Sequence, residues 1–147
     1  MSVCRFGAAL RVIVVVFGDR RRPQDEEEFN VKYFVLLASF GELPAWDDST
    51  VEEQESQMAQ LGAFGEACAA RPGVEIVSEG ALGDGSTATT LRTRGGELTV
   101  TDGPFAEAAE QIGGYYVLEA PELDTVIELC KILPAYDIDI RPVLEAP

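Results

Sequence analysis

Residues 31–40, VKYFVLLASF, are apolar at both alternations of an extended chain. Successive side chains of a strand point to opposite faces, so a strand apolar on both must be covered on both. This segment is therefore predicted to be a central strand, and the fold around it has to supply two covering layers. Two helices are available for that task. After a loop containing Pro44 and Trp46, Ser49 and Thr50 stand three residues before Glu52 and Glu53, the spacing of a capping box. Val51, Met58, Leu61, Phe64 and Cys68 then recur at helical spacing until Pro72-Gly73 ends the helix. Pro121 opens a second helix, with Leu123, Val126, Ile127, Cys130 and Leu133 along one face, and Pro134 stops it.

Further strands are predicted at VEIVSEGAL (74–82), TATTLRTR (87–94), ELTVTD (97–102), GGYYVLEA (113–120) and DIDIRPV (137–143). Gly95-Gly96 joins two of them as a hairpin turn. The order is β-α-β, a hairpin, then β-α-β. That is an α+β sandwich, with the split βαβ order of ferredoxin-like folds and one inserted hairpin. Two helices cover one face of the sheet. The other face is still apolar at alternate positions and needs a partner, and a two-fold homodimer is the simplest one.

The length of 147 residues is that of a single domain. Its net charge of −15 argues against nucleic acid as a partner, since phosphate binding relies on Lys and Arg. Cys4, Cys68 and Cys130 are scattered, without metal or disulfide spacing, which fits a reducing cytoplasm. No cofactor or metal motif is found; the glycines of GALGDGST (80–87) lack a phosphate-loop pattern. Residues 1–30 differ from the rest, with five arginines against five acids, so the whole net charge falls on residues 31–147. AALRVIVVVF is interrupted by Arg11 and is too short to span a bilayer, and no signal-peptide pattern follows, so a membrane location is not expected. Residues 1–30 are expected to be an N-terminal extension. It is either a start misassigned upstream of Val31 or a loosely attached extra strand at 9–17. Residues 31–147 form the domain.

The densest chemistry lies in TVTDGPFAEAAEQIGGYY, residues 99–116. Alternation places Leu98, Val100 and Asp102 on one side of their strand, so Asp102 ends an apolar row and is expected to be partly desolvated. Gly103 allows close approach, Pro104 sets the exit direction and Phe105 plugs apolar space. Glu107, Gln111 and one tyrosine, Tyr115, complete a set that could do acid–base work. Glu79, Arg92 and Trp46 are further candidates for ligand contact. Taken residue by residue, a structural turn is the favoured reading, because Asp-Gly-Pro is ordinary turn chemistry.

Together VKYFVLL, Trp46, EGAL (79–82), residues 87–116 and DIDIRPV resemble the YCII-related family in its DGPF-domain branch, over residues 31 to about 143. The resemblance implies a ferredoxin-like, dimeric α+β barrel in a bacterial cytoplasmic protein. It also implies an enzymatic role suggested from a His-Asp pair and from similarity to muconolactone isomerase. This chain has no histidine, so only the acid, at Asp102, can be carried over. Two functions stand near parity. One is a small-molecule isomerase or lyase, with Asp102 as acid or base, Glu107 or Tyr115 assisting, and Gln111 or Arg92 orienting the substrate. The other is a non-catalytic sensor whose dimer cleft holds a ligand and signals to an extracytoplasmic-function sigma factor, a frequent companion of DGPF proteins. A purely structural dimer is the third.

Overall fold

The computed structural model describes residues 30–40, 43–105 and 112–144. The expectations for an extra strand at 9–17, and for Glu107 and Gln111, lie outside the described residues. Strand β1 spans Val31–Ala38, helix α1 Val51–Ala70, β2 Glu75–Ala81, β3 Thr89–Arg94, β4 Glu97–Asp102, β5 Ile112–Ala120, helix α2 Leu123–Cys130 and β6 Asp137–Pro142. The main sheet has the order β2-β5-β1-β6, and every neighbouring pair is antiparallel. With the hairpin set aside, this is the order of a ferredoxin-like α+β sandwich. The β3–β4 hairpin forms a separate two-stranded sheet. Its turn residues Gly95 and Gly96 have φ of 58° and 84°, the left-handed pair that a two-residue hairpin loop needs.

β1 is central, as its composition requires. Tyr33, Val35 and Leu37 face the helices, and Tyr116, Leu118 and Ala120 of β5 stand beside them. Phe64 and Cys68 of α1 and Val126, Leu129 and Cys130 of α2 close this core. Phe64 and Tyr116 meet with ring centroids 4.8 Å apart in a tilted arrangement, the geometry that aromatic quadrupoles favour. The opposite face carries Phe34, Leu36, Tyr115 and Val117, all half-buried, and among the described residues no helix lies over them. Phe34 and Tyr115 stack there at 5.8 Å. The pairs Lys32–Glu119 and Arg141–Asp139 stand on the same face.

The capping box is formed in both directions. Glu53 N–H donates to Thr50 Oγ1 (3.2 Å), and Thr50 N–H donates to Glu53 Oε2 (2.7 Å). Ser49 serves the preceding turn instead, donating to the Ala45 carbonyl (3.0 Å). The buried stripe of α1 differs from the predicted one. Gln57, Phe64 and Cys68 are buried and Leu61 packs at their edge, whereas Val51 and Met58 are 70% and 43% exposed. At about 100° per residue, Gln57 lies within the arc of Phe64 and Cys68, and Met58 falls roughly a quarter-turn outside it. In α2, Leu123 and Ile127 are likewise exposed, while Thr125 and Leu129 take the core positions. This helix ends at Cys130, and turns carry the chain on to Pro134.

Two glycines mark where the sheet tolerates no side chain. A Cβ on Gly114 would lie 2.8 Å from the Gly80 carbonyl oxygen, and one on Gly80 would lie 2.8 Å from the Tyr115 ring. Gly114 thus admits a neighbouring strand's backbone. Gly114→Ala is expected to wedge β5 from β2 and destabilise the fold by about 1–3 kcal/mol, the usual cost of overpacking. Urea unfolding followed by circular dichroism checks this as a lowered midpoint.

Candidate functional site

The hairpin carries most of the predicted site residues, and its pairing fixes which way they face. Leu91 pairs with Val100, Thr93 with Leu98 and Thr89 with Asp102, so these six residues share one face. Arg92, paired with Thr99, and Thr90, paired with Thr101, occupy the other. Asp102 therefore does end the apolar row of Leu98 and Val100, as alternation predicts. Within one chain, however, the row is open: Leu91, Leu98 and Val100 are 57%, 58% and 61% exposed, and Asp102 is exposed beside them. Among the described residues nothing covers the row, and Asp102 is not buried by them.

The turn after β4 is held by backbone contacts. Gly103 has φ of 100°, which favours glycine. Its N–H donates to the Ala88 carbonyl (2.7 Å), and its carbonyl accepts from Thr90 Oγ1 (2.7 Å). Thr90 is one of the few buried polar residues among those described, and this bond is partly shielded from water. Phe105 is exposed and does not fill apolar space among the described residues. Instead the Arg92 guanidinium lies over its ring, 5.3 Å from the centroid, a cation–π contact. Arg92 and Asp102 thus belong to opposite faces of the hairpin, and one chain cannot present both to one small ligand.

The remaining candidates are dispersed. Tyr115 projects from the open face of the main sheet, against Phe34 and over Gly80. Trp46 begins a short 3₁₀ turn and is tied to α1, its carbonyl accepting from Gln54 Nε2 (2.8 Å). A groove of about 390 Å³ between the helices, lined by Ala67, Ala70, Arg71, Glu128, Leu129 and Ile132, contains none of the predicted residues. Among the described residues, no group of three or more acids and cysteines is arranged to hold a metal ion, and no helix is long and apolar enough to cross a membrane.

One cluster was not foreseen. Glu79 pairs directly with Tyr116, the tyrosine of the helix-covered face, and not with Tyr115. Burial raises the Glu79 carboxyl above the ordinary glutamate range. The Tyr116 phenol is pushed up by burial first, and then by the charges of Glu79, Tyr136, Cys68 and Cys130. Burial likewise raises Cys68 to about 12, with Cys130 and Glu79 adding to it, and Cys130 to about 11. These thiols are core residues rather than nucleophiles, as their positions on apolar helix faces suggest. The sequence signal for this cluster is faint, since it depends on a break in the alternation of β2.

The model of the YCII-related domain matches residues 34–146. The chain belongs to the YCII-related family. A shorter match links it to an uncharacterised protein, R00369, of Rhizobium meliloti (strain 1021), 42% identical over 48 residues. That segment is 33% of this chain and 39% of the relative, so the chain spans well under half of the relative's length in the match. In this YCII-related domain the turn after β4 is held by the Gly103 and Thr90 hydrogen bonds, and Glu79 stands opposite Tyr116 in the sheet. Thiolate formation at Cys68 and Cys130 is strongly opposed by burial. Peptide-resolved labelling with iodoacetamide at pH 8 is expected to leave both unmodified in the native protein, with rapid labelling of both in guanidinium.

Proposed function

We propose that this YCII-related protein, of the DGPF branch, acts as a homodimer that binds a small molecule beside Asp102 and performs acid–base chemistry on it, of isomerase or lyase type. The observation that carries this reading is the uncovered apolar row of Leu91, Leu98 and Val100, which ends on a carboxylate. Three large apolar side chains at that exposure, on a two-stranded hairpin, are a poor arrangement for an isolated chain. A second copy laid against them would remove water from the row and from one side of Asp102. A carboxylate in such surroundings gains a raised pKa and becomes able to shuttle a proton near neutrality. The open sheet face, with Tyr115, is the second uncovered apolar surface and would be closed by the same pairing. Glu107 and Gln111 follow Asp102 closely in sequence and are proposed to assist it. Arg92, placed on the opposite hairpin face, is assigned to holding Phe105 and the turn.

A non-catalytic reading is favoured by the dispersion of the candidate residues and by the absence of histidine. A sensor needs a closed cleft but no convergent reacting groups. In this form the dimer would hold its ligand and work with a partner such as an extracytoplasmic-function sigma factor.

Sedimentation equilibrium of the wild-type chain is expected to give a dimer, and Val100→Asp to weaken it by roughly two orders of magnitude, since it would bury an unpaired charge. A thermal-shift screen against small metabolites, repeated with Asp102→Asn, separates the functions, because a ligand bound to the native state raises Tm. Turnover by wild type, lost in Asp102→Asn while binding persists, supports the enzyme. Binding without turnover supports the sensor. A monomer with no hit overturns both.

A further inference from the structure

The pairing of β2 with β5 contains an irregularity at Val77. Ile76 faces Leu118 and Ser78 faces Val117, adjacent residues of β5, so Val77 is an extra residue without a partner of its own. Such a bulge reverses the alternation beyond it. Counting by twos from Ile76, which faces the helices opposite Leu118, an unbroken strand would send Ser78 and Gly80 to the helix side. Glu79 would then go to the open face. With the bulge, Ser78 and Gly80 lie on the open face with Val117 and Tyr115, and Glu79 turns inward opposite Tyr116. The protein gives up regular pairing at Val77, and the outcome is an acid aimed at the core.

The surroundings of that acid are unusual for a carboxylate. Tyr116 from β5 and Cys68 from α1 are the titratable groups that feel its charge, and Tyr136 from the segment after α2 and Cys130 from α2 stand with them around Tyr116. All are neutral at physiological pH, and each would carry negative charge if ionised. Among the described residues, no cation and no hydrogen-bond donor is paired with the Glu79 carboxylate. An ionised, half-buried carboxylate in this company costs stability, while a protonated one can donate its own hydrogen bond and needs no counter-ion.

We infer that the bulge at Val77 makes Glu79 a proton-binding site set into the seam between α1 and the sheet, and that proton occupancy tightens this seam. The site is separate from Asp102 and does not depend on dimer formation. The sign follows from linkage. The folded chain binds the Glu79 proton more strongly than the unfolded chain does, so stability from this group falls as pH rises. The favourable contribution is greatest below the ordinary glutamate range, and the penalty is complete above the raised folded value.

The experiment compares thermal unfolding of the full chain and of Glu79→Gln across pH 4 to 8, with a ¹³C-carboxyl NMR titration of Glu79 in the wild type. Glu79→Gln is expected to raise Tm by a few degrees at pH 7.5, with the gain shrinking towards zero at pH 4. The NMR midpoint is expected above that of a solvated glutamate. A midpoint in the ordinary glutamate range overturns the inference even if the variant folds poorly. So does a Tm difference that is independent of pH.

Discussion

The structure turns on a sheet with two apolar faces and enough helix for one. β1 and β5 are its central strands, and both alternations of each are largely apolar. On the covered side, Val35, Phe64, Leu118 and Val126 are completely shielded from water, and the Phe64–Tyr116 contact joins α1 to the sheet. Burial of such apolar side chains contributes about 25 cal/mol per Å² removed from water, and these are among the most completely buried. On the uncovered side, Phe34, Leu36, Tyr115 and Val117 remain half-buried, ringed by Lys32–Glu119 and Arg141–Asp139. The asymmetry explains why β6 alternates acid with isoleucine. Ile138 and Ile140 serve the core, while Asp139 faces outward with Arg141.

How much of this could be read in advance depended on how local the determining physics was. The turn at Gly95-Gly96 and the box at Thr50–Glu53 are decided within four residues, and both formed as their residues dictate. The order of elements along the chain followed from the run of apolar segments, and that order is the split βαβ order of ferredoxin-like sheets. The helical stripe was less legible. Met58 is more apolar than Gln57, yet Gln57 is buried, because the arc facing the sheet is set by Phe64 and Cys68 and the helix cannot rotate to favour one methionine. Sequence periodicity reports the composition of a face, and packing decides which face is used.

The candidate site divides along the same line. The position of Asp102 at the end of the Leu98–Val100 row needed only the alternation of one strand, and the pairing of β3 with β4 agrees. Whether that carboxylate is desolvated depends on what lies across the row, and none of the described residues does. The partition of Tyr115 from Tyr116 likewise needed only alternation, whereas that of Arg92 from Asp102 needed the register of two strands, and residue type alone had grouped those two together. The inward turn of Glu79 was hidden more deeply. The sequence VEIVSEGAL gives no sign of which residue is the extra one, since Val77 and Ile76 are equally suited to a strand. The bulge becomes visible only when Leu118, Val117 and Tyr116 are laid opposite it.

A chain without histidine has no side chain whose ordinary pKa lies near neutrality, apart from what burial can produce. One route to acid–base function in such a chain is to take carboxylates and remove water from them. The two acids of interest represent two ways of doing so. Glu79 is desolvated within its own chain, by a backbone irregularity that turns it under α1, so its properties are intrinsic to the folded monomer. Asp102 stands exposed at the end of an apolar row, so any desolvation it gains must come from beyond the described residues. The first arrangement ties proton binding to the packing of helix on sheet. The second would, on the proposed reading, tie it to association, so that proton transfer by Asp102 would depend on a second surface laid against the row.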